Sequence, residues 1–101
     1  MHLSRFINFS MFYIYILKSK QNGSYYIGSC KNLEIRLSMH NKGLVKSTKR
    51  YTPWVLIYNE SFKELKGSRL RELQIKSWKN RKAIEKLYKS RILENKGGPL
   101  A

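Results

Sequence analysis

Arg36 and His40 stand four residues apart, a spacing that lets two side chains touch on one face of a helix. On a wheel of about 100° per residue they fall among Leu33, Ile35, Leu37 and Met39, while Glu34, Ser38, Asn41 and Lys42 take the polar side. Two readings follow. The pair builds a functional pocket, with a guanidinium able to fork onto an oxyanion. Or Arg36 snorkels past the core edge and His40 is a satisfied interior histidine.

Tyrosines supply the next candidates. Alternation along Phe12–Lys18 puts Tyr13, Tyr15 and Leu17 on one face. Along Tyr25–Cys30 it puts Tyr26, Gly28 and Cys30 opposite Tyr25 and Ile27. Gly28 weakens a strand unless something approaches its backbone closely. Tyrosines so placed either pack across a sheet or serve a site, and the pattern alone allows both.

Carboxylates are scarce. Of 101 residues, 21 are Lys or Arg and six are acidic, all of them glutamates, for a formal net charge of +15. Without aspartate, neither a cluster of paired aspartates around a metal nor a Ser-His-Asp triad can be built. The single Cys30 excludes an intramolecular disulfide and, with two histidines, a Cys/His zinc finger. As a nucleophile it has no acidic partner near His40, so it reads as a small strand residue. A free thiol suits a reducing compartment, here the cytoplasm, with no disulfide-linked partner. The charge calls for a polyanion, above all nucleic acid, because each neutralised phosphate releases condensed counterions. The plain alternatives are a solvated basic surface or attraction to anionic lipid. No apolar run nears the roughly 20 residues that span a bilayer, and no clear amphipathic basic helix stands out.

These residues need a scaffold, and the length fits one small domain. Strands are expected at Phe12–Lys18, Tyr25–Cys30 and Trp54–Tyr58, with Asn22-Gly23 as a tight hairpin turn between the first two. A helix capped by Asn32 runs to about Asn41 and ends at Gly43. Lys42–Thr52 is a loop, and further helices cover Lys66–Trp78 and Lys82–Ile92. The order strand, strand, helix, strand, helix, helix gives an α+β fold, a small three-stranded antiparallel sheet flanked by helices. Residues 1–10 form an N-terminal extension, 11–92 the domain and 93–101 a flexible tail.

Tyr13-Ile14-Tyr15, then Tyr26-Ile27-Gly28, then Arg36-Leu37-Ser38-Met39-His40 resemble in order and spacing the GIY-YIG nuclease superfamily. The chain is most similar to small single-domain bacterial members related to the nuclease module of an excinuclease. His40-Asn41-Lys42-Gly43, Ser47-Thr48-Lys49, Pro53-Trp54 and Arg71-Glu72 ahead of Ile75-Lys76 extend the likeness over about residues 12–90. Tyr13 stands where the family name has glycine. The resemblance implies a GIY-YIG-like fold and an endonuclease, acting on DNA in repair or processing. It implies a site of Tyr15, Tyr26, Arg36 and His40, with Gly28 allowing close approach of nucleic acid. Glu72 corresponds to the carboxylate that holds Mg²⁺ or Mn²⁺, and Asn80 is the candidate for a late asparagine common near the family's site. Lys46, Lys49, Lys76 and Lys79 would hold the nucleic acid.

Phosphodiester hydrolysis needs an activated water, charge neutralisation on the phosphorane and a stabilised leaving oxygen. Arg36 suits the second need and a metal on Glu72 the third. A tyrosine base starts near pKa ~10 and must be lowered by neighbouring cations. Tyr15 and Tyr26 both qualify, with His40 assisting. Taken alone, Glu72 is also an ordinary i,i+4 partner for Lys76. The alternative function is therefore a non-catalytic basic module that binds nucleic acid and carries a vestigial nuclease site.

Overall fold

The aromatic and β-branched run after Met11 forms β1 (Phe12–Ser19), the central strand of a three-stranded antiparallel sheet. It lies between β2 (Tyr25–Cys30) and β3 (Trp54–Phe62). The computed structural model of the chain describes residues 11–97, with side chains as far as residue 91. The expected extension 1–10, and residues 98–101 of the expected tail, lie outside the described residues.

A central strand is covered on both faces, and β1 is buried without a break from Ile14 to Leu17. One face carries Ile14 and Ile16, packed with Tyr58 of β3, Ile75 of α2 (Leu65–Trp78) and Ile84 of α3 (Arg81–Gly97). The other carries Tyr15 and Leu17, packed with Trp54 and with Leu33 and Leu37 of α1 (Leu33–Asn41). The sheet therefore separates α1 from α2 and α3. This division decides which candidate residues can meet.

α1 is bounded as expected. The Asn32 side chain accepts from the Ile35 N–H, and Gly43 adopts φ +76°. There the Gly43 and Leu44 amides return to the His40 and Met39 carbonyls, closing the helix in a Schellman arrangement. Its packed stripe is narrower than expected. Ile35 is 59% exposed, because Leu33, Leu37 and His40 at spacings of four and three already fill the contact with the sheet.

Three boundaries differ from expectation. Asn22-Gly23 ends a four-residue loop instead of forming a two-residue turn, since the bonded pair that closes it is Ser19 and Ser24. Buried Ser19 stabilises this loop by accepting the Gln21 and Asn22 amides on Oγ while donating to the Tyr51 carbonyl. β3 continues four residues past Tyr58 because β1 offers Phe12–Tyr15 as backbone partners to Asn59–Phe62. α3 runs on to Gly97, since Leu93, Glu94 and Lys96 favour helix and no breaker precedes that glycine. The expected loop 42–52 also contains a short 3₁₀ turn, Lys49–Tyr51. Among the described residues no helix is long and apolar enough to cross a membrane.

Candidate active site

Tyr15 faces Gly28 across the β1–β2 ladder, and its ring lies directly over that glycine. A Cβ at Gly28 would stand 2.6 Å from the Tyr15 hydroxyl oxygen and 2.8 Å from Cζ. The close approach expected at this glycine is thus made by the chain's own tyrosine, and Gly28 is buried beneath it.

Tyr15 reaches across to α1, where its Oη lies 2.8 Å from His40 Nε2. On the far side of the imidazole, Nδ1 lies 2.7 Å from Thr48 Oγ1, which in turn lies 3.3 Å from the Val45 carbonyl. Run in one direction, every proton finds an acceptor: Tyr15 donates to Nε2, Nδ1–H donates to Thr48, and Thr48 donates to Val45. All three side chains are at most 2% exposed. Burial, reinforced by the Arg36 charge, holds His40 below its ordinary 6.5. The imidazole is therefore neutral at neutral pH. Burial also pushes the Tyr15 phenol well above 10.0; Tyr26 adds to the rise and Arg36 offsets only part of it.

Tyr26 completes the cluster. Its ring centroid is 5.0 Å from that of His40 and 6.2 Å from that of Tyr15, with Trp54 on the other side at 6.4 Å. Tyr26 and Arg36 are half-buried, so both border solvent while Tyr15 and His40 lie behind them. The guanidinium acts on Tyr15, His40 and Cys30 alike, which locates it at the mouth of the cluster. Burial nevertheless keeps the Cys30 thiol above its ordinary value, as befits a packed strand residue. His40 is thus a satisfied interior histidine, and half-buried Arg36 stands beside it, bordering solvent.

Glu72 lies elsewhere. Its helix packs on the Ile14/Ile16 face, opposite α1, and its carboxylate is 2.7 Å from Lys76 Nζ. It lines a cavity of about 400 Å³ with Ser29, Arg69 and Leu73, at the outer edge of β2. Ser29 separates Gly28 from Cys30, so this cavity adjoins the strand segment whose other face holds the tyrosines. Lys76 is exposed on the same helix, and Lys79 is exposed where the helix ends, at φ 48°. Lys46 and Lys49 are exposed on the loop either side of Thr48, on the tyrosine face. Asn80 caps α3 through its Oδ1, which accepts from the Lys82 amide.

Sequence reasoning missed the residues that hold this site. Thr48 appears only as the centre of Ser47-Thr48-Lys49, yet it bonds the His40 ring and accepts the Trp54 indole N–H on its carbonyl. Asn41 clamps the end of α1 to β3, accepting the Trp54 amide and donating to its carbonyl. On the other face, Glu60 accepts from Tyr58 and from Arg71 Nε and Nη2 at 3.0 and 2.9 Å, and Arg71 directly precedes Glu72 in the chain. Thr48, Asn41 and Glu60 are each a small or acidic polar residue whose partner lies 8 to 13 residues away, and no local pattern marks it.

Could the chain hold a metal? Among the described residues no three ligating side chains gather. What Glu72 offers is one carboxylate, with the Ser29 hydroxyl, in a cavity roomy enough for bound water. That donor set fits a small divalent ion that keeps most of its hydration shell, and does not fit a dehydrated cage.

Residues 11–89 match the family described as the GIY-YIG catalytic domain. The chain is 38% identical over 74 residues to a UPF0213 protein of Staphylococcus haemolyticus, covering 72% of this chain and 89% of that one. It is 35% identical over 85 residues to a UPF0213 protein of Clostridium perfringens, covering 83% and 90%. A solution NMR structure of a UPF0213 protein from Bacillus halodurans aligns over 89% of both chains at 27% identity with a TM-score of 0.47. The matched family is of nuclease type, its substrate class is nucleic acid, and its nucleases are generally dependent on divalent metal. With its motif residues gathered around one tyrosine–histidine pair and the match spanning nearly all of the described domain, the chain belongs to the GIY-YIG family.

Proposed function

We propose that the chain is a divalent-metal-dependent endonuclease that hydrolyses phosphodiester bonds of DNA, in repair or processing, in the cytoplasm. The observation that carries this reading is the bonded Tyr15–His40 pair with Tyr26 and Arg36 at its mouth. Tyr15 is a poor base, because burial holds its proton and His40 Nε2 already accepts it. Tyr26 borders solvent, so its phenol can first give its proton to bulk water, and as the phenolate it is the better group to orient and deprotonate the attacking water. Arg36 forks onto the non-bridging oxygens and offsets the charge that grows on phosphorus. Lys46, Lys49, Lys76 and Lys79 hold the backbone of the nucleic acid. Glu72 would hold Mg²⁺ or Mn²⁺, which when bound supplies Lewis acidity toward the leaving oxygen.

The test is cleavage of branched, single-stranded and duplex DNA with Mg²⁺ or Mn²⁺. Arg36→Ala should lower the rate by about 100-fold or more, as loss of a charge-stabilising donor does elsewhere. Tyr26→Phe should cost more than Tyr15→Phe. If Arg36→Ala and Glu72→Ala cut as fast as the parent, the assignment fails.

A second reading has an observation in its favour. Arg36 and Glu72 project from helices on opposite faces of the sheet, and Glu72 is already paired with Lys76. A non-catalytic module for binding nucleic acid needs no such convergence. Tight, steeply salt-dependent binding with no cleavage under any of these conditions would favour it.

A further inference from the structure

We infer that one strand of nucleic acid lies along the seam between β2 and α2, running past Glu72. This deepens the nuclease reading and rests on it for the substrate class.

The seam holds two cavities along the same pair of elements. One, of about 400 Å³, is lined by Ser29 of β2 and by Arg69, Glu72 and Leu73 of α2. The other, of about 330 Å³, has Ser24, Tyr25 and Ile27 on the strand side and Ile75, Lys76 and Lys79 on the helix side, and Arg81 closes it. Arg69, Glu72 and Lys76 are spaced three and four apart, so they form one stripe along the helix, and Lys79, which ends the helix at φ 48°, lines the second cavity just beyond it. β2 is the sheet's edge among the described strands, so no further strand shuts the furrow.

Charge and size both select the occupant. Glu72 and Lys76 neutralise one another, and Arg81 pairs with Glu85, which leaves Arg69 and Lys79 without acidic partners among the described residues. Lys18 adds a third cation beside Tyr25. From Arg69 to Lys76 the stripe rises about 10 Å at 1.5 Å per residue, room for a short run of an extended strand. A furrow between two packed elements takes a single backbone, whereas a duplex would touch only its rims. Leu73, 64% exposed and lining the first cavity, offers an apolar rest for bases.

Fluorescence anisotropy with a labelled oligothymidylate, and with a duplex of the same length, tests this in EDTA, where no cleavage intrudes. Relative to the parent, the double variant Arg69→Gln/Lys79→Gln should bind the single strand about tenfold more weakly. Its salt slope should be shallower by about 1.4, for two phosphates lost at about 0.7 each. Lys42→Gln, at the end of α1 on the opposite face, removes a charge without touching the seam and should bind as the parent does. Thermal unfolding of each variant confirms that the fold is intact. Parent-like binding by the double variant overturns the inference, as does an equal loss in Lys42→Gln or a preference for duplex. The outcomes are separable from the nuclease reading: an active enzyme whose double variant still binds sinks only the seam. An inactive protein whose double variant loses the single strand keeps the seam and sinks only catalysis.

Discussion

The two faces of the sheet carry two polar networks built on opposite principles. On the α1 face, Tyr15, His40 and Thr48 form a run of neutral hydrogen bonds with every member at most 2% exposed. On the α2 face, Glu60 takes two bonds from Arg71 and one from Tyr58, while Arg91 lies 4.6 Å over the Tyr58 ring. Its ion pair is charged, and its side chains remain 23% and 20% exposed. The difference follows from what burial costs. A fully enclosed group must shed its charge, so His40 is neutral and depends on a correct tautomer. A group at the rim keeps its charge and gains from a bidentate partner. The first network is consequently rigid and intolerant, the second adjustable.

The sharpest way to break this contrast is Gly28→Ala. The new methyl meets the Tyr15 ring, which cannot swing aside without leaving His40. We expect about 2 kcal/mol of destabilisation and, because the cluster is misplaced, about 100-fold loss of cleavage. Chemical denaturation and the nuclease assay read the two effects. Thr48→Val comes next. It keeps the shape of Thr48 and removes the acceptor of Nδ1–H, for about 1–3 kcal/mol, and it releases the imidazole tautomer. Ring nitrogen shifts of His40 by NMR should change in Thr48→Val and be restored in Thr48→Ser. A purely structural role for Thr48 would leave them where they were.

On the other face the same kind of truncation should matter less. Arg71→Ala strips Glu60 of its partner, yet water reaches that carboxylate and Tyr58 still donates to it. About 1–2 kcal/mol is expected, measurable as a shift of the denaturation midpoint at unchanged slope. A loss larger than that of Thr48→Val would reverse the ranking of the two networks.

How much of this was legible in the sequence depends on the range of the signal. Alternation along β1 and β2 placed Tyr15, Leu17, Tyr26 and Gly28 on one face correctly, because strand geometry is local. Asn32 and Gly43 bounded α1 for the same reason. The wheel put Ile35 into the packed arc because it cannot tell which half of a broad apolar arc meets the sheet. Thr48, Asn41 and Glu60 were opaque. Each acts on a partner 8 to 13 residues away, and nothing in a threonine or a glutamate announces its partner. The tyrosine–histidine cluster was reached through both routes, spacing and resemblance. Glu72 rested on resemblance alone, and it is the candidate that the fold sets apart on another face.

Acid titration is the gentlest perturbation, and it addresses the two networks in sequence. His40 is held below 6.5, so as pH falls past that value the unfolded chain takes a proton that the folded chain resists. The unfolded state then binds more protons, and stability declines as pH drops from 6.5 toward the folded value. For Glu60, burial raises the carboxyl, but the bonds from Arg71 and Tyr58 and the nearby arginine charges outweigh it and leave the group below 4.5. Its contribution is full above 4.5 and is lost as pH falls through the folded value. The alkaline side cannot separate the networks, because burial raises Tyr15 and Tyr58 alike and both contributions fade as pH climbs past 10.0. Urea midpoints followed downward from neutral pH should therefore fall in two stages. Glu60→Gln should remove the lower stage and leave the upper one in place. A flattened upper stage in that variant would mean that the sheet couples the networks it otherwise keeps apart.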